Sequence, residues 1–144
     1  MQVLLILSAL LLSSSVFAEV QFITSKKTKE AGFPFSDAVQ AGDFVFLSGQ
    51  VGTDPQSGRL VAGGIEPETH QIFRNIEAIL ATQDASLEDI IKCTVMIDEI
   101  AQWSAFNQVY VTYFPGNKPA RSAFGADGLA LGASVELECW AYRK

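Results

Sequence analysis

The chain has 144 residues, of which 49% are apolar and 18% charged, a composition that fits one well-cored globular domain and excludes a disordered chain. Its net charge of −6 works against nucleic acid and anionic lipid as partners, because both are bound through a surplus of Lys and Arg. With one histidine and two cysteines that form no CxxC, the usual metal-ligand spacings are missing as well.

Residues 1–18, "MQVLLILSALLLSSSVFA", carry an apolar run, a serine cluster and then small residues at the two positions a signal peptidase reads. They read as a secretory signal cleaved before Glu19, although the first residues, Met-Gln, lack the usual Lys or Arg. The competing reading is an uncleaved membrane anchor, against which the run falls short of the ~20 apolar residues a span needs. The expected product is a domain over 19–144, secreted or periplasmic, with no stable membrane span.

From Glu19 to Phe35 the chain is polar and broken by Gly32 and Pro34, which predicts a short strand or arm and then a loop. "AVQAGDFVFLSGQ" predicts a hairpin turning at Ala41-Gly42-Asp43, and "VGTDPQSGRLVAGG" predicts turns with a short strand near Arg59 to Ala62. In "EPETHQIFRNIEAILATQ" the residues Ile72, Phe73, Ile76, Ile79 and Leu80 recur at helical spacing behind Pro67 and Glu68, both suited to a first turn. "SLED" has the pattern of a capping box, Ser86 to Asp89, ahead of the strand "IIKCTVMI". A second helix is predicted from about Ile100 to Phe114, with Trp103, Phe106, Tyr110 and Tyr113 on its stripe and Pro115-Gly116 at its end. Two strands close the chain, "ARSAFG" and "SVELECWAY"; in the latter Val135, Leu137, Cys139 and Ala141 alternate with Glu136, Glu138 and Trp140.

This order predicts an α+β fold, a mixed sheet with two helices packed on one face. The other face, with its aromatics and carboxylates, is left bare unless a second subunit covers it, which predicts a homo-oligomer. Cys93 and Cys139 each lie in an alternating apolar run and read as two buried thiols, with a disulfide as the alternative in an oxidising compartment.

Conventional catalytic sets fail by inventory. His70 precedes the apolar stripe of its helix and reads as a solvated helix residue, so a serine or cysteine nucleophile would lack an imidazole base. "GTDPQSGRL" lacks the spacing of a phosphate loop. What remains is Arg121 with Glu136 and Glu138. If the last two strands pair, the guanidinium and a glutamate share the bare face, where a planar fork suits capture of a small carboxylate and the glutamate suits holding a water. An interface salt bridge between the same residues is the competing reading; Ser48 and Asn107 alone read as turn or cap residues.

At these residues the sequence resembles the RidA (YjgF-type) family of enamine/imine deaminases. The resemblance covers nearly all of 19–144 and is carried by "FVFLSGQVGTDPQSGRL", "IFRNIEAIL" with Asn75, "SLEDIIKCTVMIDEI", "FNQVYVTYF" and "PARSA…VELECWA". It implies a chorismate-mutase-like α+β domain that forms a homotrimer with active sites in clefts between subunits. It also implies that Arg121 binds the carboxylate of a 2-imino acid and Glu136 positions the attacking water, with Ser48, Gly49 and Asn107 lining the cleft. Products would be a 2-oxo acid and ammonia, and no cofactor is implied, because a protonated imine carbon is already electrophilic. Two positions depart from the family pattern: Phe35 stands where tyrosine is frequent and Ala123 where cysteine is frequent, which bears on substrate range and rate. The alternatives to an imine deaminase are a secreted trimer that binds small carboxylates in its clefts without turnover, and a purely structural trimer.

Overall fold

The structure is a computed structural model and describes residues 19–143. Residues 1–18, and with them the leader reading, lie outside the described residues. No helix among the described residues is long and apolar enough to cross a membrane.

A short strand β1 (Val20–Ile23) leads into α1 (Lys26–Glu30), one and a half turns capped by the Ser25 hydroxyl accepting from the Thr28 N–H. This helix was not expected, since its five residues carry no apolar stripe. The predicted hairpin is β2 (Ala38–Ala41) and β3 (Phe44–Leu47), joined by a two-residue turn with Gly42 at φ 60°, where a primed turn calls for glycine. After a break at Ser48-Gly49 the chain re-pairs as β4 (Gln50–Val51). The predicted strand near Arg59 to Ala62 is reduced to a bridge between Thr53 and Leu60.

Of the periodic set, helix α2 (Ile65–Ala81) buries Ile72, Phe73, Ile76 and Leu80 and packs a partly buried Ile79 against the core, and it takes Glu66 and Glu68 into its first turn. The Ser86–Asp89 capping box is present and starts a 3-10 turn ahead of β5 (Ile90–Ile97). The second predicted helix is three pieces: a 3-10 turn over Ile100–Gln102, α3 (Trp103–Tyr110) and another 3-10 turn over Val111–Tyr113. Strands β6 (Ala120–Gly125) and β7 (Val135–Tyr142) complete the chain.

The seven strands form one sheet in the order β1-β2-β3-β7-β5-β6, with β4 also beside β7. The helices α2 and α3 pack on one face, over a core that includes Val45, Leu47, Val95, Ile97, Leu137 and Ala141. The alternation read in β7 holds: its odd-numbered residues from Val135 to Ala141 are buried and its even-numbered ones face away from the helices. On that outer face Phe44 meets Tyr142 and Phe46 meets Trp140, edge to face.

Two expectations are corrected. The last two strands do not pair, because β5 lies between them, antiparallel to β7 and parallel to β6. Cys93 and Cys139 are not free thiols but a disulfide: they are direct register partners across β5 and β7, with Cα atoms 4.1 Å apart and both side chains buried. Alternation placed each cysteine inward; the register that brings them opposite is a property of the paired strands.

Candidate functional site

Arg121 stands opposite Cys93 in the β5–β6 register, so its side chain emerges on the helix-covered side of the sheet, and its exposure is intermediate. There it runs beneath α3. The guanidinium carbon lies 4.8 Å from the Tyr110 ring centre, 5.1 Å from Trp103 and 5.9 Å from Phe106. These rings recur three or four residues apart on one side of α3, so a single helix presents all three to the cation. From the same helix the Asn107 Oδ1 accepts a hydrogen bond of 2.8 Å from the Arg121 Nη1.

No ion pair engages Arg121 among the described residues, where the one salt bridge joins Lys26 to Glu30. Tyr110 does not serve as a counter-ion. Burial pushes its phenol up, outweighing the opposite pull of Arg121, so the ring stays neutral. An oriented, partly desolvated guanidinium without a carboxylate has the chemistry to take up an incoming anion. It opens on a cleft of about 450 Å³ lined by Asn107, Tyr110, Val111, Phe114, Lys118 and Arg121, so Lys118 brings a second cation to the rim. Ala123, two residues along β6, has its side chain on the same side as Arg121 and packs against the core.

Glu136 is on the other side of the sheet. Its register partners are Val51 of β4 and Met96 of β5, and it points away from the helices. Partial burial is the first cause, and the neighbouring Glu138 the second, that holds its carboxyl above the usual glutamate value. Gly49 makes room for it: a Cβ there would lie 2.9 Å from the Glu136 carboxyl carbon and overlap the carboxylate oxygen.

Ser48 is next to Gly49, and its hydroxyl donates to the Ser36 carbonyl at 2.6 Å, which fastens the loop carrying Phe33 and Phe35 to this corner of the sheet. Phe35 is exposed and stacks on Phe33. The predicted residues thus form two groups within one protomer: Arg121, Asn107 and Ala123 at α3, and Glu136 with Gly49 on the outer face, to whose corner Ser48 fastens the loop of Phe35. The expectation that Arg121 and Glu136 share the bare face is overturned by the β5–β6 register, which sets Arg121 in the row of the buried Cys93. Sequence reading missed the roles of Trp103 and Tyr110 as supports for Arg121, and missed Lys118. The aromatic spacing on α3 is the available signal, and a stripe of that spacing suits a core as well as a cation.

His70 is not solvated in isolation. Its Nδ1 lies 2.7 Å from the Tyr113 hydroxyl, joining α2 to the end of the second helical segment, apart from both groups. Asn75 also has a local task, its amide donating to the Thr53 carbonyl at 3.0 Å and tying α2 to the loop after β4.

Comparison with known proteins places this arrangement. The sequence model of the family described as Endoribonuclease L-PSP matches residues 25–143. The mouse protein 2-iminobutanoate/2-iminopropanoate deaminase is 38% identical over 125 residues, covering 87% of this chain and 91% of its own. The chloroplastic Reactive Intermediate Deaminase A of Arabidopsis thaliana is 36% identical over 127 residues, 88% of this chain and 67% of its own. Among solved structures, RidA from an Antarctic Psychrobacter superposes with a TM-score of 0.74 at 30% identity, covering 88% of this chain and 98% of its own. A Rid-family protein of unknown function from Yersinia pestis superposes with a TM-score of 0.79 at 34% identity, covering 86% and 99%. The chain belongs to the RidA (YjgF-type) family, the Endoribonuclease L-PSP family of the matching model.

Proposed function

We propose that this protein hydrolyses 2-imino acids, and their enamine tautomers, to 2-oxo acids and ammonia. The observation that carries the reading is Arg121: a half-buried guanidinium held by Asn107 against three aromatic rings, with no carboxylate partner among the described residues, at the wall of a cleft. The relatives named 2-iminobutanoate/2-iminopropanoate deaminase and Reactive Intermediate Deaminase A support the same class of reaction.

In this reading Arg121 takes the substrate carboxylate in a two-point fork, and Lys118 adds attraction at the rim. The carboxylate fixes the adjacent iminium carbon in place. Water attacks that carbon and gives one proton to Glu136; that proton returns to the nitrogen of the resulting amino alcohol, and ammonia leaves as the hydroxyl proton passes to Glu136 and the carbonyl forms. A carboxyl held above its usual range suits both halves of that transfer. Binding and proton transfer carry the reaction, so no cofactor enters it.

Because Arg121 and Glu136 emerge on opposite faces of the sheet, the reading requires a second copy of the chain to bring one protomer's arginine to another's glutamate. A homotrimer with clefts between subunits meets that requirement, and the aromatic outer face is a surface for the contact. Ser48, Gly49, Phe35, Asn107 and Ala123 would border the cleft. The apolar leader and the Cys93–Cys139 disulfide support action outside the cytosol, secreted or periplasmic.

Although the family description contains the word endoribonuclease, the charge of −6 and the histidine bound to Tyr113 weigh against RNA as substrate. One observation favours a trimer that binds small carboxylates without turnover: Phe35 stands where the family pattern frequently has tyrosine, and the hydroxyl is lost. The decisive experiment follows the decay of 2-iminopropanoate with and without protein: acceleration supports the enzyme, whereas binding of 2-oxo acids without acceleration supports the carboxylate binder.

A further inference from the structure

We propose that Phe33 is a specificity-determining residue, the outer ring of an aromatic shelf that receives the substrate's side chain and directs the site toward 2-imino acids with a large apolar side chain. The inference rests on the reading under Proposed function and adds a substrate class to it.

Phe33 and Phe35 stack nearly parallel, 9° apart in plane with ring centres 5.2 Å apart, and are 53% and 51% exposed. Scattered exposed apolar residues are ordinary, but this pair is held out to solvent by a braced backbone. The Phe33 N–H donates to the Thr28 carbonyl at 3.3 Å, and the Thr28 hydroxyl donates to Asp37 at 2.6 Å. The Ser48 hydroxyl closes the far side of the loop through the Ser36 carbonyl at 2.6 Å. Pro34, between the two rings, has a fixed φ and disfavours helical geometry at Phe33. The stack is therefore formed before any ligand arrives, which lowers the entropy cost of using it.

Its location gives it a role. Phe35 adjoins Ser36, Ser36 is bonded to Ser48, Ser48 adjoins Gly49, and Gly49 abuts the Glu136 carboxylate. The loop that carries the rings is thus fastened to the corner of the sheet that holds the carboxylate assigned to the reacting water. Neither ring carries a hydroxyl, so the shelf offers a polar side chain no partner, and Glu136 with Glu138 repels an acidic one. A phenyl, indole or branched hydrocarbon gains a stacking surface that a methyl group is too small to use.

The test measures decay of 2-iminopropanoate and 2-imino-3-phenylpropanoate, each generated in place from its amino acid by an oxidase, with wild type, Phe33→Ala and Phe33→Leu. Calorimetric titration with pyruvate and phenylpyruvate runs in parallel. Wild type is expected to favour the phenyl substrate by about tenfold in kcat/KM, with the ratio collapsing about tenfold in Phe33→Ala, through KM, and partly recovering in Phe33→Leu. Phenylpyruvate should likewise bind more tightly than pyruvate, and the gap should close in Phe33→Ala. Acceleration of both imines without preference overturns the shelf and leaves the deaminase reading standing. No acceleration, with a phenylpyruvate preference that Phe33→Ala removes, overturns the deaminase reading and leaves the shelf standing. Neither acceleration nor preference overturns both.

Discussion

Arg121 and Glu136 lie on opposite sides of one sheet: Arg121 occupies the Cys93 register row beneath α3, while Glu136 faces away from the helices between Val51 and Met96. Side chains on opposite faces of a strand layer cannot converge on one small molecule, so a reaction that uses both needs two copies of the chain. A complementation experiment follows. Arg121→Ala and Glu136→Gln should each be inactive alone, and mixed assemblies formed from equal amounts by co-refolding should recover about a quarter of wild-type activity, the share of clefts that pair two intact residues. Activity measurements on the mixture check this, and no recovery in verified mixed assemblies would contradict a shared cleft.

Glycine at position 49 is a prediction in its own right. With its hypothetical Cβ overlapping the Glu136 carboxylate, Gly49→Ala should displace that group and lower kcat on the order of 10-fold or more, while the protein stays folded. Steady-state kinetics beside a circular dichroism spectrum separate displacement from unfolding.

The pH profile should report Glu136. As a base it must be ionised, so kcat/KM falls as pH drops through a pKa that burial first, and Glu138 second, hold above the usual glutamate value. Glu138→Gln should move this acid limb to lower pH. For stability the sign is opposite to that of a salt-bridged carboxylate. A raised folded pKa means the native state binds this proton more tightly than the unfolded chain, so the contribution is present at low pH and lost as pH rises through the folded pKa. Glu136→Gln should remove that loss in melts across the same range.

Much of the fold was legible because its signals are local. The stripe of α2, the Ser86–Asp89 capping box and the alternation in β7 each depend on residues a few positions apart, and all appear as read. The neighbours of β6 were not legible. "ADGLALGA" looks like a hairpin loop, yet the chain between β6 and β7 crosses past β5, and only tertiary packing decides between the two. The β5–β6 register, which puts Arg121 in the Cys93 row and so on the face opposite Glu136, was out of reach for the same reason. Residue types at the site were legible through motif resemblance, while the aromatic supports of Arg121 were hidden because Trp103, Phe106 and Tyr110 look the same whether they fill a core or hold a cation.

The Cys93–Cys139 bond ties neighbouring strands but closes a long loop, with a sequence separation of 46. Chain-entropy arithmetic for a loop of that size gives about 4 kcal/mol. Reduction after denaturation and refolding under reductant should lower Tm by on the order of 10 °C. Thermal melts with and without reductant check it, with mass spectrometry confirming the bond in the oxidised sample; superimposable melts would mean the bridge adds nothing.

The most direct test concerns the cation itself. Decay of 2-iminopropanoate should be faster with wild-type protein than in buffer, and Arg121→Ala should lose at least about 100-fold of that acceleration while its assembly state is unchanged. Arg121→Lys, which keeps the charge but not the fork, should retain only a minor part. Wild type and Arg121→Ala accelerating the imine equally would contradict the account, because the anion site it describes would then have no part in the chemistry.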